Sequence, residues 1–159
     1  MADANTRVLV LGSLPGEVSL LRRQYYANPR NQFWRLVGGV INVDFPPSYE
    51  ARLARLRAAG IGLWDVVGSA RRVGSLDGAI REQDVNPLVD FTVGLPALKA
   101  VAFNGGTAFA IGRRELGGRT ACRLIRLPSS SSANATSFEH KRAEWLSLRP
   151  FLSLRDAPP

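Results

Sequence analysis

Short apolar runs that break on glycine or asparagine constrain this chain more than any other feature. Residues 7–11 (Arg-Val-Leu-Val-Leu) are β-branched and apolar, and they stop at Gly12-Ser13-Leu14-Pro15-Gly16. Residues 61–67 (Ile-Gly-Leu-Trp-Asp-Val-Val) form a second extended run. Residues 100–103 form a third, ended by Asn104-Gly105-Gly106, and residues 122–127 a fourth, ended by Pro128. Runs this short and this apolar suit strands covered on both faces, as in a parallel sheet. Helical spacing fills the intervals: residues 31–40, 47–59 with Leu53, Leu56 and Ala59 on one face and Gly60 as a stop, 87–95, 107–116, and 138–152 with Trp145, Leu146 and Leu148 available to a core. Residues 77–82 read as a short helix start. Alternation of this kind predicts an α/β sandwich around a largely parallel sheet, with its sites in loops at the carboxyl ends of strands.

The chain has 159 residues, of which 45% are hydrophobic, enough for one well-buried core. A single domain over residues 1–159 is expected, with residues 153–159 frayed. The first strand-like run begins at residue 7 and is broken by Gly12, too early and too short for a signal peptide or a membrane span. A monomeric, soluble, cytoplasmic protein with no membrane partner is expected. One cysteine, Cys122, excludes an intramolecular disulfide and any multi-cysteine zinc or iron–sulfur site, and one histidine, His140, makes metal catalysis a poor fit. No cofactor and no metal ligands are expected. The formal charge is +8, carried by nineteen arginines and two lysines distributed along the chain. Guanidinium groups pair with phosphates in a forked geometry and release counterions, so a folded arginine-rich domain points to a nucleic acid. Replacement of lysine by arginine in a GC-rich genome accounts for the ratio of the two but not for the net excess.

The loops carry the chemistry. Gly12, Ser13, Pro15 and Gly16 allow the backbone to turn sharply and approach a ligand. Tyr25, Tyr26, Phe33 and Trp34 crowd around Asn28, Arg30, Asn31 and Gln32, and aromatics beside amides suit a pocket that stacks on a flat base and bonds its edge. Phe33 and Trp34 read equally as core residues at a helix start, with Asn28 as its cap. Asn104, at a strand end, offers one donor and one acceptor. Leu127-Pro128-Ser129-Ser130-Ser131-Ser132-Ala133-Asn134 offers hydroxyls and amides to phosphates, or is a plain connector.

In order, Gly-Ser-Leu-Pro-Gly, Tyr-Tyr-x-x-Pro-Arg-Asn-Gln-Phe-Trp, Gly62-Leu63-Trp64-Asp65-Val66-Val67 with Gly74-Ser75-Leu76-Asp77, Phe103-Asn104-Gly105 and the serine loop resemble the hypoxanthine-DNA glycosylase branch of the uracil-DNA glycosylase superfamily. The resemblance runs from about Val8 to Trp145. It implies a three-layer α/β/α sandwich around a four-stranded, mainly parallel sheet, and hydrolytic removal of a deaminated base flipped out of DNA: uracil, hypoxanthine or xanthine. It implies Asn31 in the hydrolytic role, Phe33 stacking on the base with Leu14 and Tyr26 shaping its pocket, and Asn104 reading its edge. Gly12, Ser13, Pro15, Gly16, Pro128, Ser129, Ser130, Ser131 and Ser132 would lie against the DNA.

Two positions depart from the family pattern. Leu14 stands where many relatives carry an Asp or Asn that positions water, and Leu127 where others carry a histidine that stabilises the leaving base. Asn31 can orient a water and support the developing sugar cation through its carbonyl oxygen. Asp65 and Asp77 are reserve candidates for water activation, or else helix caps or partners of Arg71 and Arg72. Lys99 and Lys141 sit before a strand and on a helix, which predicts a monofunctional enzyme. The rival from another class is a non-catalytic reader of uracil-containing or single-stranded DNA. A nucleotide- or sugar-phosphate-binding α/β protein is a third reading, and it leaves the basic charge and the aromatic cluster unexplained.

Overall fold

The computed structural model describes residues 1–72 and 80–152. The strand β1 (Val8–Gly12) is buried along its whole length and forms the middle of the molecule. It pairs in parallel with β2 (Ile61–Asp65) on one side and β5 (Ala100–Asn104) on the other, and β5 pairs in parallel with β6 (Arg123–Leu127). The order β2-β1-β5-β6 makes a four-stranded parallel sheet. Because side chains alternate across a strand, β1 feeds two cores at once. Val8 and Val10 pack with Phe33, Leu36, Val37 and Val40 of α2 (Phe33–Ile41), Leu56 of α3 (Tyr49–Ala58) and Trp145 of α6 (Phe138–Trp145). Leu9 and Leu11 pack with Leu88 of α4 (Leu88–Val93) and with Ala108 and Leu116 of α5 (Gly106–Leu116). Helices therefore cover both faces, so the α/β sandwich expected from the alternation forms, in the three-layer α/β/α arrangement that the resemblance implied.

Local chemistry sets the ends and the packing of these helices. Ser48 caps α3 by accepting a hydrogen bond from Ala51 N–H, and Ser137 caps α6 by accepting one from His140 N–H. In α5 the absence of a side chain at Gly112 lets the helix lie on the sheet, since a methyl group there would sit 2.0 Å from the buried Phe103 ring.

Other segments differ from expectation. The helix start expected at 77–82 is replaced, over its described part, by the strand β4 (Ile80–Val85). This strand pairs antiparallel with β3 (Val67–Arg72) in a separate two-stranded sheet. Ile-Arg-Glu-Gln-Asp-Val has no apolar helical face, so cross-strand pairing decides its conformation. Residues 74–77, Asp77 among them, and residues 153–159 lie outside the described residues. The helix expected over 138–152 gives way after Trp145 to a 3-10 helix (Leu146–Phe151) containing Pro150, whose missing N–H and fixed ring cannot continue an α-helix. A short helix α1 (Glu17–Arg22) had no periodic signal because it buries nothing. Among the described residues no helix is long and apolar enough to cross a membrane.

Candidate active site

Three neighbouring strands end on the residues that floor a cavity of about 350 Å³: Asp65 on β2, Gly12 on β1 and Asn104 on β5. Its walls are the Gly12–Gly16 turn with Ser19, the Tyr25–Asn31 segment, and the serine loop with Ala133 and Asn134. A cavity at the carboxyl ends of parallel strands, where loops diverge, is where an open α/β sheet has room for a ligand.

Tyr26 dominates one wall. Its ring lies flat on that of Phe33, with centroids 3.7 Å apart and planes 11° from parallel. Phe33 is fully buried and also meets Trp34 and Trp145 edge-on. One face of Tyr26 is thus backed by core while the residue itself lines the cavity. Phe33, expected to stack on a base, is fully buried and does not line the cavity; Tyr26 lies flat against it and lines the cavity in its place. Tyr26 holds φ at 53°, a left-handed conformation that costs a non-glycine residue about 1–2 kcal/mol. Its carbonyl accepts from Trp34 Nε1 at 3.3 Å, and its hydroxyl accepts from Asn104 Nδ2 at 3.1 Å. The preceding Tyr25 N–H donates to the Tyr49 hydroxyl at 2.8 Å. Burial first, and then the charge of Asp65, push the Tyr25 phenol up to about 12 and the Tyr26 phenol further still. Both are neutral donors and acceptors at physiological pH.

Asn104 uses both of its amide hydrogens and one lone pair of its oxygen. Its Nδ2 also donates to Ser130 Oγ at 2.8 Å, and its Oδ1 accepts from Ser130 N–H at 2.8 Å. The amide expected to read a base is therefore committed to tying the Tyr26 platform to the serine loop. Donating to a base edge would require exchanging one of these bonds, while Oδ1 keeps a second lone pair. The loop itself is a run of tight turns: Ser131 N–H donates to Ser129 Oγ, Ala133 N–H to Ser131 Oγ, and Thr136 N–H to Asn134 Oδ1. It is a structured loop held by its own side chains.

Lys141 holds that loop from below. It is 1% exposed, and its ammonium donates to Gln32 Oε1 at 3.0 Å, Ser131 O at 3.0 Å and Asn134 O at 3.2 Å. Gln32 N–H donates to Ser130 O at 2.9 Å, so the segment carrying Asn31 and the serine loop are joined twice. Desolvation lowers the Lys141 pKa from the usual lysine value. Sequence reading gave Lys141 no part in the site. The available signal was its phase: Phe138, Lys141, Trp145 and Leu148 recur at helical spacing, and the lysine occupies a core position.

Asn31 lines the cavity, and its Oδ1 accepts from Phe33 N–H at 2.9 Å. Gln32 is the N-cap residue of α2 and makes no side-chain cap bond; Asn31, just before it, closes an Asx turn onto Phe33 N–H, and Asn28, expected as the cap, instead accepts from Arg30 N–H. The turn fixes the rotamer of Asn31 and leaves its second oxygen lone pair and its amino group to the cavity.

Of the residues singled out from sequence, the fold gathers Gly12, Ser13, Leu14, Pro15, Gly16, Tyr26, Asn31, Asn104, Ser129, Ser130 and Ser131 around one cavity. Phe33 lies behind Tyr26. Pro128 stands outside, its carbonyl bonded to Trp145 Nε1 at 3.1 Å, and Ser132 is exposed beyond the rim. Leu127 is buried at the end of β6, and His140 is exposed on α6, away from the cavity wall. Asp65, a reserve candidate, is brought into the floor.

Known proteins with this fold and sequence agree on one family. The model of the uracil DNA glycosylase superfamily matches residues 1–149. Proteins described as hypoxanthine DNA glycosylases from Methanosarcina barkeri and Methanosarcina acetivorans are each 39% identical to the chain over 146 residues, covering 90% of either sequence. A solution NMR structure from Methanosarcina acetivorans, described as a uracil DNA glycosylase, superposes with a TM-score of 0.84 at 38% identity, covering 94% of this chain and 93% of that one. The chain belongs to the uracil DNA glycosylase superfamily.

Proposed function

We propose that this protein is a DNA glycosylase that hydrolyses the N-glycosidic bond of deaminated bases, hypoxanthine and uracil foremost, and that it acts as a monomer. The observation that carries the reading is one cavity in which a backed aromatic ring, a fixed asparagine and a polar floor converge at the strand ends of a superfamily member. A base extruded from the duplex would lie on Tyr26. Deaminated bases pair poorly, so their extrusion costs less than that of normal bases.

Bond breaking leaves positive charge on the sugar and negative charge on the base. The Asn31 carbonyl oxygen, held by Phe33 N–H, supports the sugar cation and orients a water. That water's oxygen bonds to C1′ as the C1′–N bond breaks, and its proton ends on the departing base. The serine loop meets the phosphates next to the lesion with its hydroxyls and amides. A lyase step needs an accessible amine. The Lys141 amine is enclosed by three oxygens and Lys99 lies outside the cavity wall, which supports a monofunctional hydrolase.

End-labelled oligonucleotides with one hypoxanthine, uracil or xanthine, single- and double-stranded, are incubated with the protein and treated with alkali. Strand breaks at hypoxanthine or uracil are the expected result. Lesion-dependent gel shifts without breaks would replace the enzyme with a reader.

A further inference from the structure

Among the described residues that line the cavity, Asp65 supplies the carboxylate, and hydrolysis as set out above makes no use of it. Its position is firmly determined. It is the last residue of β2, in register with Gly12, and its carbonyl accepts from Asn86 Nδ2 at 2.8 Å. The next two residues are pinned to the first turn, Val66 N–H donating to Gly12 O at 2.8 Å and Val67 N–H to Ser13 O at 3.1 Å. The side chain reaches across β1: a methyl group on Gly12 would stand 2.6 Å from Asp65 Oδ1 and 3.6 Å from the Tyr26 hydroxyl. Only glycine at position 12 leaves the carboxylate its place, facing the same space as the Tyr26 hydroxyl. Asn104, another polar group of the floor, has both amide hydrogens committed to Tyr26 and Ser130.

A flat ring lying on Tyr26 turns one edge toward these strand ends, where Asp65 is an acceptor. Deamination changes that edge in one consistent way. The N1 of adenine and the N3 of cytosine are lone pairs, whereas hypoxanthine N1 and uracil N3 carry a hydrogen. An ionised carboxylate accepts hydrogen bonds and cannot donate them. It bonds the N–H of a lactam edge and repels the lone pair of the parent base, leaving a buried acceptor unpaired.

We propose that Asp65 determines specificity by accepting the lactam N–H shared by deaminated bases, so that adenine and cytosine are refused after extrusion. The inference rests on the glycosylase reading. Guanine and thymine share the lactam edge, and they are kept out by the pairing energy that extrusion must overcome.

The test measures binding of free hypoxanthine, uracil, adenine and cytosine by quenching of intrinsic fluorescence, which needs no turnover, in wild type, D65N and D65S. Wild type is expected to prefer hypoxanthine over adenine, and uracil over cytosine, by about tenfold or more. In D65N the side-chain amide can turn its NH2 to a lone pair, and the preference falls to within about threefold; D65S, which lacks the charge, loses it as well. Melting curves and gel shifts on an abasic-site oligonucleotide establish that each variant is folded. An undiminished preference in a folded variant overturns the proposal. If D65N keeps the preference but loses cleavage together with the acidic limb of the pH–rate profile, Asp65 activates water instead, and the proposal is wrong. Failure of wild type to cut any lesion would refute the glycosylase reading, and the free-base ratios would still report on Asp65.

Discussion

Replacing Lys141 with methionine keeps the length and most of the packing of the side chain while removing the three hydrogens that hold the loop. Three oxygens lose their partner: Gln32 Oε1, Ser131 O and Asn134 O. The Gln32 side chain can turn to water. The two backbone carbonyls have less freedom, and an unsatisfied buried acceptor costs about 1–3 kcal/mol. Relief from burying an ammonium offsets part of the loss. A net destabilisation of about 3 kcal/mol follows, which for a domain of this size lowers the melting temperature by about 6–12 °C. The loss should be local before it is global. Amide exchange is expected to accelerate at Ser131, Ala133 and Asn134 well below the melting temperature. On the proposed reading, in which the same loop meets the DNA phosphates, KM should rise more than kcat falls. A K141M protein that melts within about 2 °C of wild type, with unchanged exchange in the loop, would refute the claim that this lysine organises the site.

Two further outcomes are expected. N104A cuts the tie between the Tyr26 hydroxyl and Ser130, so kcat/KM should fall by about 10- to 100-fold on hypoxanthine and uracil alike; a loss confined to one base would return Asn104 to base reading. Tyr25 and Tyr26 titrate above the unfolded tyrosine value in the folded protein, so the stability they contribute is complete below about pH 10 and is lost as pH rises through about 12. The denaturant midpoint should fall over that interval, less steeply in Y26F, and an unchanged midpoint would contradict the burial of these phenols.

The fold was legible because its signals are local and repeated. Each of the four apolar runs supplied a strand of the central sheet, the second only as far as Asp65 with Val67 passing into β3, and Leu53 and Leu56 marked the packed face of α3. The hairpin of β3 and β4 was illegible, since Ile-Arg-Glu-Gln-Asp-Val takes its conformation from a partner strand and not from its own pattern. In the site, residue identity was readable and geometry was not. Tyr26 and Phe33 are both aromatic in one motif, and only the stacking shows which of them faces the cavity. Asn104 has the chemistry of a base reader, yet bonds to Tyr26 and Ser130, distant in sequence, occupy it. Lys141 resembles a surface lysine until its helical phase is set beside Trp145. Asp65 enters the site because Gly12, in register with it across the sheet, has no side chain.

The central claim is that Asn31, held by Phe33 N–H on the wall of this cavity, performs base excision. Single-turnover cleavage of a hypoxanthine-containing duplex by wild type and N31A, with equilibrium binding to the same duplex, tests it most directly. Loss of the hydrogen bond from Phe33 N–H costs about 1 kcal/mol of stability, which a melting curve measures separately. Cleavage by wild type, slowed in N31A by about 100-fold or more with binding within about threefold, is the predicted result. Equal cleavage rates in the two proteins, or tight binding by wild type with no cleavage, would contradict it.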